Sequence, residues 1–536
     1  MKLVRTAAVL SVFAATLSCA TNPEPQPAAV PGNQQSTGDR PALMVLVVVD
    51  QLRATLLDRY DDLFTGGFRR LRDQGYSFTN ASQAHAATET AVGHATLSTG
   101  SYPMHHGIVG NAWYEKVGGS WVVVQNVGDS TVKIVGAPES PGISPVHLMR
   151  PGLAEWVKAA DAKSIVASVS GKDRGAVQPG AHSPGGYVYW FDPALGRYVT
   201  STYYRDRDPD WITRFNTTTL QQHLADSVWS LGVPASALAR ANGDTVPTEG
   251  NGTNTYFPHR FSVEGRPGAF WSWWNATPNW DVATLQLART MVTSLGLGKD
   301  ASPDFMNVSL SATDYIGHAY GPLSREQLDN LLKLDKQLGQ FFDFLDSTVG
   351  KGKWAMMLSA DHGVMDSPED LRARGEFGYR ATPADLAMID TMRREAAANP
   401  DPVSGAAKLA ADLKKLDLVA DAYTHEELSR GQPRDSFELL ERRSMYPNRV
   451  SGIVAREGVE VRFKPGVLRN PRGSTHGTAW WYDRNVPMIF MGAGIPAGRD
   501  TSRAETVDFA PTAATLLRIP IPSGVDGKVL GPVVRR

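Results

Sequence analysis

The sequence predicts an α/β fold built around a mostly parallel sheet. Three observations predict it: continuous apolar runs, helical stripes between them, and aspartates placed at the ends of the runs. "ALMVLVVVDQ" is apolar and β-branched until it reaches Asp50. Such a run reads as a strand buried on both faces, as parallel strands are. "DFMNVSLSATD" reaches Asp314 and "WAMMLSADHG" reaches Asp361 in the same way. "SIVASVSGKDR" is a fourth run, ending in basic residues, and "VPMIFMGAG" is a fifth. Between them, "LSREQLDNLLKLDKQLGQFFDFLD" carries Leu328, Leu331, Leu338, Phe342 and Leu345 at helical spacing. Ser324 and Gln327 predict a capping box ahead of that stripe. Alternation of this kind argues a parallel sheet with helices on its faces. Ligands in such folds gather outside the carboxyl ends of the strands, and three runs deliver an Asp there.

At 536 residues the chain exceeds one simple core, so one large domain with insertions, or two domains, is expected. Lys plus Arg (54) balance Asp plus Glu (55), so no global field points to nucleic acid or to an anionic membrane. No nucleic-acid binding is expected. "MKLVRTAAVLSVFAATLSCA" has a basic start, a short apolar run and small residues after it, the signature of a secretory signal over residues 1–20. Two exits fit: cleavage after Ala20, or lipidation of Cys19 after cleavage in front of it. The expected address is therefore the periplasm or the exterior, with Cys19 as the point of lipid attachment in the second case. Cys19 is the only cysteine, so no disulfide supports the mature chain and a large core must. Residues 21–40 are Pro-rich and polar, a tether rather than an element. Residues 41–536 form the body of the protein, and no further segment there reads as a transmembrane helix.

Two regions interrupt the alternation. Residues 187–279 are polar, aromatic and Gly-rich, and seven of the thirteen tryptophans lie between Trp190 and Trp280. Aromatics chiefly supply buried area, so a small aromatic core is the first expectation there and substrate stacking the second. Residues 367–472 mix helical stretches with loops. Both regions are expected to be insertions that cap the strand ends.

The chemistry-bearing residues are scattered along the chain but converge on that edge. Asp314 and His318 stand four apart in "DYIGH", one helical turn. Asp361 and His362 adjoin directly after a strand, His476 lies in "STHGTAWW", and Asp50 ends the first run. Each alone has an ordinary role, a cap for an Asp or a satisfied hydrogen-bonder for a His. Together they give two clusters of N and O ligands without thiolate, a donor set suited to Zn²⁺. Two metals about 4 Å apart would clamp the attacking and leaving oxygens of a phosphoryl displacement. "ATETAVGHATLSTG" puts Thr88 and Thr90 at a helix start, where a hydroxyl caps the helix or a nucleophile meets an anion.

Asp50, "TAVGH", "DYIGH", "ADHG" and "THG" occur in the order found in the alkaline phosphatase superfamily, which the chain resembles from about Pro41 to its C-terminus. The tail "ETVDFAPTAATLLRIPIPSGVDGKVL" is similar to that superfamily's closing segment. Within it the chain resembles the phosphate-irrepressible bacterial group of PafA type. The resemblance implies a three-layer sandwich with a cap, a monomer, and two Zn²⁺. It implies Thr90 as the nucleophile, leaving Thr88 to capping or turn formation. It implies one zinc on Asp314, His318 and His476, and the other on Asp50, Asp361 and His362 with Thr90 as a further ligand. Asn111, in "GIVGNAWY", matches the group's phosphoryl-binding asparagine; Lys172 and Arg174, in "SGKDRGAV", match its Lys-x-Arg pair. A monoester carries two charges on its terminal oxygens, which a Lys and a forked Arg complement. The implied activity is hydrolysis of small phosphate monoesters of broad range through a phosphothreonine. The alternatives are a phosphodiesterase or nucleotide pyrophosphatase on the same fold, and a non-catalytic ligand-binding surface lipoprotein. His85, His94, His105 and His106 are expected to support the structure rather than bind metal.

Overall fold

β1 (Leu43–Val49) is the centre of the molecule, and all seven of its residues are buried. Successive side chains of a strand face opposite ways, and the packing follows: Leu43, Val45, Val47 and Val49 join one core, Met44, Leu46 and Val48 the other. A strand buried on both faces needs a helical layer on each side, which gives the expected three-layer sandwich. Each such side chain contributes roughly 1.5–3 kcal/mol by leaving water. The computed structural model describes residues 40–225, 227–250, 252, 254–261 and 269–534, which belong to one compact unit. The expected signal, residues 1–20, and the expected tether, residues 21–40, lie outside the described residues apart from Arg40.

The sheet has nine strands. After β1 come β2 (Tyr76–Ser82), β3 (Val166–Ser170), β4 (Tyr187–Asp192), β5 (Arg197–Val199), β6 (Asp304–Leu310), β7 (Trp354–Ser359), β8 (Met488–Gly492) and β9 (Gly498–Glu505). Their spatial order is β9-β2-β8-β7-β1-β6-β3-β4-β5. β1 pairs parallel with β6 and β7, β6 with β3, β3 with β4, and β9 with β2. Only β8 and β5 run against the rest. The run "VPMIFMGAG" is thus a strand, but an antiparallel one.

One face carries the helices Asn279–Leu295 and Arg325–Leu345; the other carries Thr90–Thr99 and Phe509–Leu517. Ser324 caps Arg325–Leu345 by accepting the Gln327 amide at 3.0 Å, as expected. The reciprocal half of the box is replaced: the Gln327 side chain donates to the Thr313 carbonyl at 2.9 Å, bracing the preceding helix, Ala312–Tyr320. Among the described residues no helix is long and apolar enough to cross a membrane.

The aromatic region begins differently from its sequence reading. Residues 187–199, taken there as the start of an insertion, supply β4 and β5 of the central sheet. Their aromatic side chains fill a sheet edge where the aliphatic strands end. Phe191 lies 5.5 Å from Trp274 and 6.4 Å from Trp280, ring to ring, within the main core. The bulk of the tryptophan content is thus packing. Within residues 367–472, the helices Pro383–Ala397 and Pro402–Leu413 and the strands Val419–Thr424 and Val459–Phe463 share a small core of their own around Leu409, Leu413 and Val459.

Candidate active site

The carboxyl ends of β1, β6, β7 and β3 deliver the site. Asp50 directly follows β1, Asp361 follows β7 after one residue, and Lys172 follows β3 after one residue. Beyond β6 the chain turns into the helix Ala312–Tyr320, whose pitch sets His318 Nε2 3.1 Å from Asp314 Oδ1. His476 comes from a loop and brings its Nε2 to 3.6 Å from the same oxygen. Asp314, His318 and His476 therefore form one group, with donor atoms within 4.8 Å of one another, and Asp50, Asp361 and His362 form a second. In the second, His362 Nε2 stands 3.5 Å from Asp50 Oδ1 and 3.5 Å from Asp361 Oδ2. Stacking of the His362 and His476 rings, 3.5 Å apart at 15°, joins the groups.

The donor chemistry fits cations. Each imidazole donates Nδ1–H to a backbone carbonyl: His318 to Ser474 at 2.9 Å, His362 to Gly363 at 3.0 Å, and His476 to Thr88 at 2.7 Å. That leaves every Nε2 lone pair facing the carboxylates, the orientation in which histidine binds metal. In the second group Asp50 Oδ1, Asp361 Oδ2 and His362 Nε2 are buried without a hydrogen-bond partner. Buried polar atoms are rarely left unpaired, and three converging ones are what a divalent cation relieves. Burial and the charge of Asp361 push the Asp50 carboxyl well above its usual range, against the pull of Lys172. Burial acts likewise on Asp314, but the charges of His318 and Lys172 outweigh it and hold that carboxyl well below.

Thr90 is the first residue of the helix Thr90–Thr99 and is 1% exposed. The Lys172 ammonium lies 3.4 Å from its Oγ1, and 2.6 Å from both Asp50 Oδ2 and Asp314 Oδ2. Asn111 Oδ1 accepts the Ala91 amide at 2.9 Å, a bond that leaves the asparagine's own NH₂ unused. Its backbone amide donates to Glu89 Oε2 at 2.7 Å. Arg174 is the second residue of the helix Asp173–Gly180; among the described residues the ion pair of its guanidinium is a long contact, 3.4 Å, to Asp173. Lys172 thus meets Asp50, Asp314 and Thr90 at one edge, and Asn111 meets the start of the Thr90 helix. Thr88 does not cap the helix: its hydroxyl donates to the Thr478 carbonyl at 2.9 Å, tying the His476 loop down.

Two glycines explain the motifs that contain them. A Cβ on Gly93 of "TAVGH" would lie 2.1 Å from the Asp361 carbonyl oxygen, so this helix rests directly on the strand end. A Cβ on Gly317 of "DYIGH" would lie 1.9 Å from Gln51 Oε1.

Gln51 itself escapes sequence reasoning. Its side chain donates to Asp314 Oδ1 at 2.6 Å and its backbone amide to Asp361 Oδ1 at 3.2 Å, so one residue touches both groups. It does so at φ 67°, left-handed backbone that non-glycine residues seldom adopt. His94 lies behind Asp361, with Nδ1 3.4 Å from Oδ2 and 2.9 Å from the Thr90 carbonyl, and Nε2 on Ser309 at 2.9 Å. His85 and His106 share Thr96, and His105 pairs with Asp526 at 2.8 Å, apart from both groups.

Residues 44–452 match the family model of type I phosphodiesterase / nucleotide pyrophosphatase. The chain is 34% identical over 532 residues to alkaline phosphatase PafA of Elizabethkingia meningoseptica, covering 93% of this chain and 95% of that one. It is 31% identical over 552 residues to alkaline phosphatase PhoV of Synechococcus elongatus, covering 98% and 99%. The crystal structure of wild-type PafA superposes with a TM-score of 0.84 at 31% identity, covering 92% of this chain and 99% of that one. A PafA variant with a Thr, an Asn, a Lys and an Arg replaced, in that chain order, superposes with a TM-score of 0.83 at 30% identity, covering 92% and 99%.

Proposed function

The chain belongs to the type I phosphodiesterase / nucleotide pyrophosphatase family of the alkaline phosphatase superfamily, and from that premise we propose that it is a metal-dependent phosphomonoesterase of broad range. The observation that carries this reading is the setting of the Thr90 hydroxyl: a helix N-terminus, the Lys172 ammonium at 3.4 Å, and two carboxylate–imidazole groups beside it. The order Thr, Asn, Lys, Arg in the replaced positions of the PafA variant supports the same choice of Thr90, Asn111, Lys172 and Arg174.

Asp314, His318 and His476 would hold one cation and Asp50, Asp361, His362 and Thr90 the other, zinc by donor type. Bound there, the pair supplies Lewis acidity that favours an alkoxide and stabilises charge on oxygen. The residues supply the rest. Thr90 Oγ, its proton given up to solvent, attacks phosphorus in line; its bond to phosphorus forms as the bond from phosphorus to the leaving oxygen breaks. That oxygen leaves as the alcohol after taking a proton from water. A water molecule then cleaves the phosphothreonine, returning the Thr90 hydroxyl and releasing inorganic phosphate. Lys172, Arg174 and the NH₂ of Asn111 hold the non-bridging oxygens, where charge-assisted donors are worth most. The helix N-terminus adds a partial positive charge of about half an electron.

Lys172 and Arg174 favour a monoester over the diester chemistry in the family's description, because a diester offers one charge where a monoester offers two. Paired kinetics decide it. Replacing both residues with Ala should lower kcat/KM for an aryl phosphate far more than for a bis-aryl phosphate. An equal fall on the two removes the case for a monoesterase. We also propose export through residues 1–20 and function as a monomer; N-terminal sequencing distinguishes a start at Thr21 from a lipid-blocked Cys19.

A further inference from the structure

Lys172 and Asp314 meet at 2.6 Å, yet they come from separate segments, the turn after β3 and the helix after β6. Asp50 Oδ2 lies 2.6 Å from the same ammonium, so neither segment has room to drift. A misplacement of about 1 Å at such a site costs on the order of 10²-fold in rate. Two neighbouring residues at the start of the helix Asn279–Leu295, Trp280 and Asp281, pack against both segments from behind.

Trp280 is 1% exposed. A Cβ on Gly171, the residue before Lys172, would lie 2.5 Å from its ring and 2.9 Å from Ser311 Oγ, so any side chain there collides with the indole. The indole also meets the Tyr315 ring edge to face, 5.1 Å away at 86°. Tyr315 follows Asp314, and its ring lies 5.3 Å from the Lys172 ammonium. One buried side chain thus spans the Lys172 turn and the helix of Asp314.

Asp281 is 3% exposed, and its Oδ1 accepts the Ala312 amide at 3.0 Å. Ala312 is the first residue of the helix Ala312–Tyr320, and the residue in the capping position, Ser311, makes no side-chain cap. A carboxylate from a different helix supplies what the local cap does not. It satisfies a free amide and sets negative charge at the positive end of the helix. Asp314 lies two residues beyond that amide, and His318 lies one turn further on.

We infer that Asp281 is a positioning residue for Asp314 and His318: through the Ala312 amide it fixes the helix that presents both. Trp280 holds the Lys172 turn against the same helix. The inference rests on the preceding reading of Asp314, His318 and His476 as the ligands of one cation. Asp50, Asp361 and His362 stand instead at the ends of β1 and β7. Loss of the Asp281 carboxylate should therefore weaken one cation and spare the other.

Zinc per chain after dialysis of the purified, zinc-loaded full chain tests it, with Asp281→Ala and Asp281→Asn compared with wild type. Wild type should keep two. Asp281→Ala should keep about one and need about tenfold more free Zn²⁺ to regain the second, as loss of a group behind a ligand does. Asp281→Asn, whose Oδ1 still accepts the amide, should stay with wild type. A helix that is merely less stable lowers Tm without choosing between the cations. If Asp281→Ala does not fold, Asp281→Ser, whose hydroxyl is one atom too short for the amide, should show the same selective loss. Retention of both metals by a folded Ala or Ser variant, or loss of both at the same free Zn²⁺, overturns the inference and leaves the phosphatase reading standing. Wild type that binds no metal overturns both.

Discussion

The imidazoles of His362 and His476 stack at 3.5 Å and 15°, although each belongs to a different donor group. Two charged rings would not hold that arrangement. Burial, followed by the charges of His362 and His318, pushes the His476 imidazole well below its usual range, and burial lowers His362 too. Neutral rings are also what cations require, since histidine binds metal only when deprotonated. Chelation should therefore abolish phosphate release and lower Tm, and elemental analysis should find two metals per chain. Restoration by Zn²⁺ is expected; restoration by Mn²⁺ or Mg²⁺ alone would reassign the cations.

Thr90 and Thr88 differ by two positions and should differ sharply in consequence. Thr90→Ala should lower kcat by about 10³-fold or more, as loss of a nucleophile does, and abolish a phosphorylated protein trapped by acid quench. Thr90→Ser should retain part of both signals. Thr88→Ala loses only a hydrogen bond to the Thr478 carbonyl, and should cost about 1 kcal/mol of stability while the acid-trapped signal persists. A phosphopeptide carrying the label on any residue other than Thr90 would overturn the assignment.

The donor residues were legible because their positions follow from local rules. An apolar run that ends in Asp50 or Asp361 places that Asp at a strand terminus, and a four-residue step on a helix places His318 over Asp314. Motif order did the rest for His476, whose loop has no periodicity to read. Other features depend on the path of the backbone in three dimensions. Gln51 matters through φ 67° and contacts 263 and 310 residues away in sequence, neither of which a linear pattern encodes. β4 and the edge strand β5 were read as insertion because aromatic side chains replaced the aliphatic signature. Gln327 looked like half of a capping box because spacing is local, but its side chain took a tertiary partner.

Gln51 offers a test that separates strain from contact. Gln51→Gly and Gln51→Ala both remove the donor from Asp314 Oδ1, but only glycine is at ease at φ 67°. Loss of a group that orients a metal ligand typically costs 10–100-fold in metal affinity. Both variants should need about tenfold more free Zn²⁺ for half-maximal activity after chelation. The glycine variant should be the more stable by about 1 kcal/mol in urea. Equal metal requirement in wild type and both variants would confine Gln51 to a structural role.

The histidines outside the donor groups give the protein its sensitivity to acid. His85 is fully buried, with Nε2 3.0 Å from Gln83 Oε1 and 3.1 Å from Thr96 Oγ1. Gln83 spends its NH₂ on the Asp361 carbonyl at 2.8 Å, so its Oε1 accepts and the imidazole donates as a neutral ring. Burial depresses the His85 imidazole to about 3. An unfolded chain titrates this group near 6.5, so below that pH the unfolded state binds the proton and the folded state does not. Stability is then complete above about pH 6.5 and is lost as pH falls towards 3. The loss is about 1.4 kcal/mol per pH unit, or roughly 2 kcal/mol at pH 5. His106, pushed down by burial and by the charge of His85, adds a loss of the same sign. His85→Gln removes one titration while keeping a neutral hydrogen-bonder in place. Urea unfolding at pH 7 and pH 5 should show a smaller pH-dependent loss in His85→Gln than in wild type, by about 2 kcal/mol. Equal losses in the two proteins would mean that His85 is protonated in the folded state.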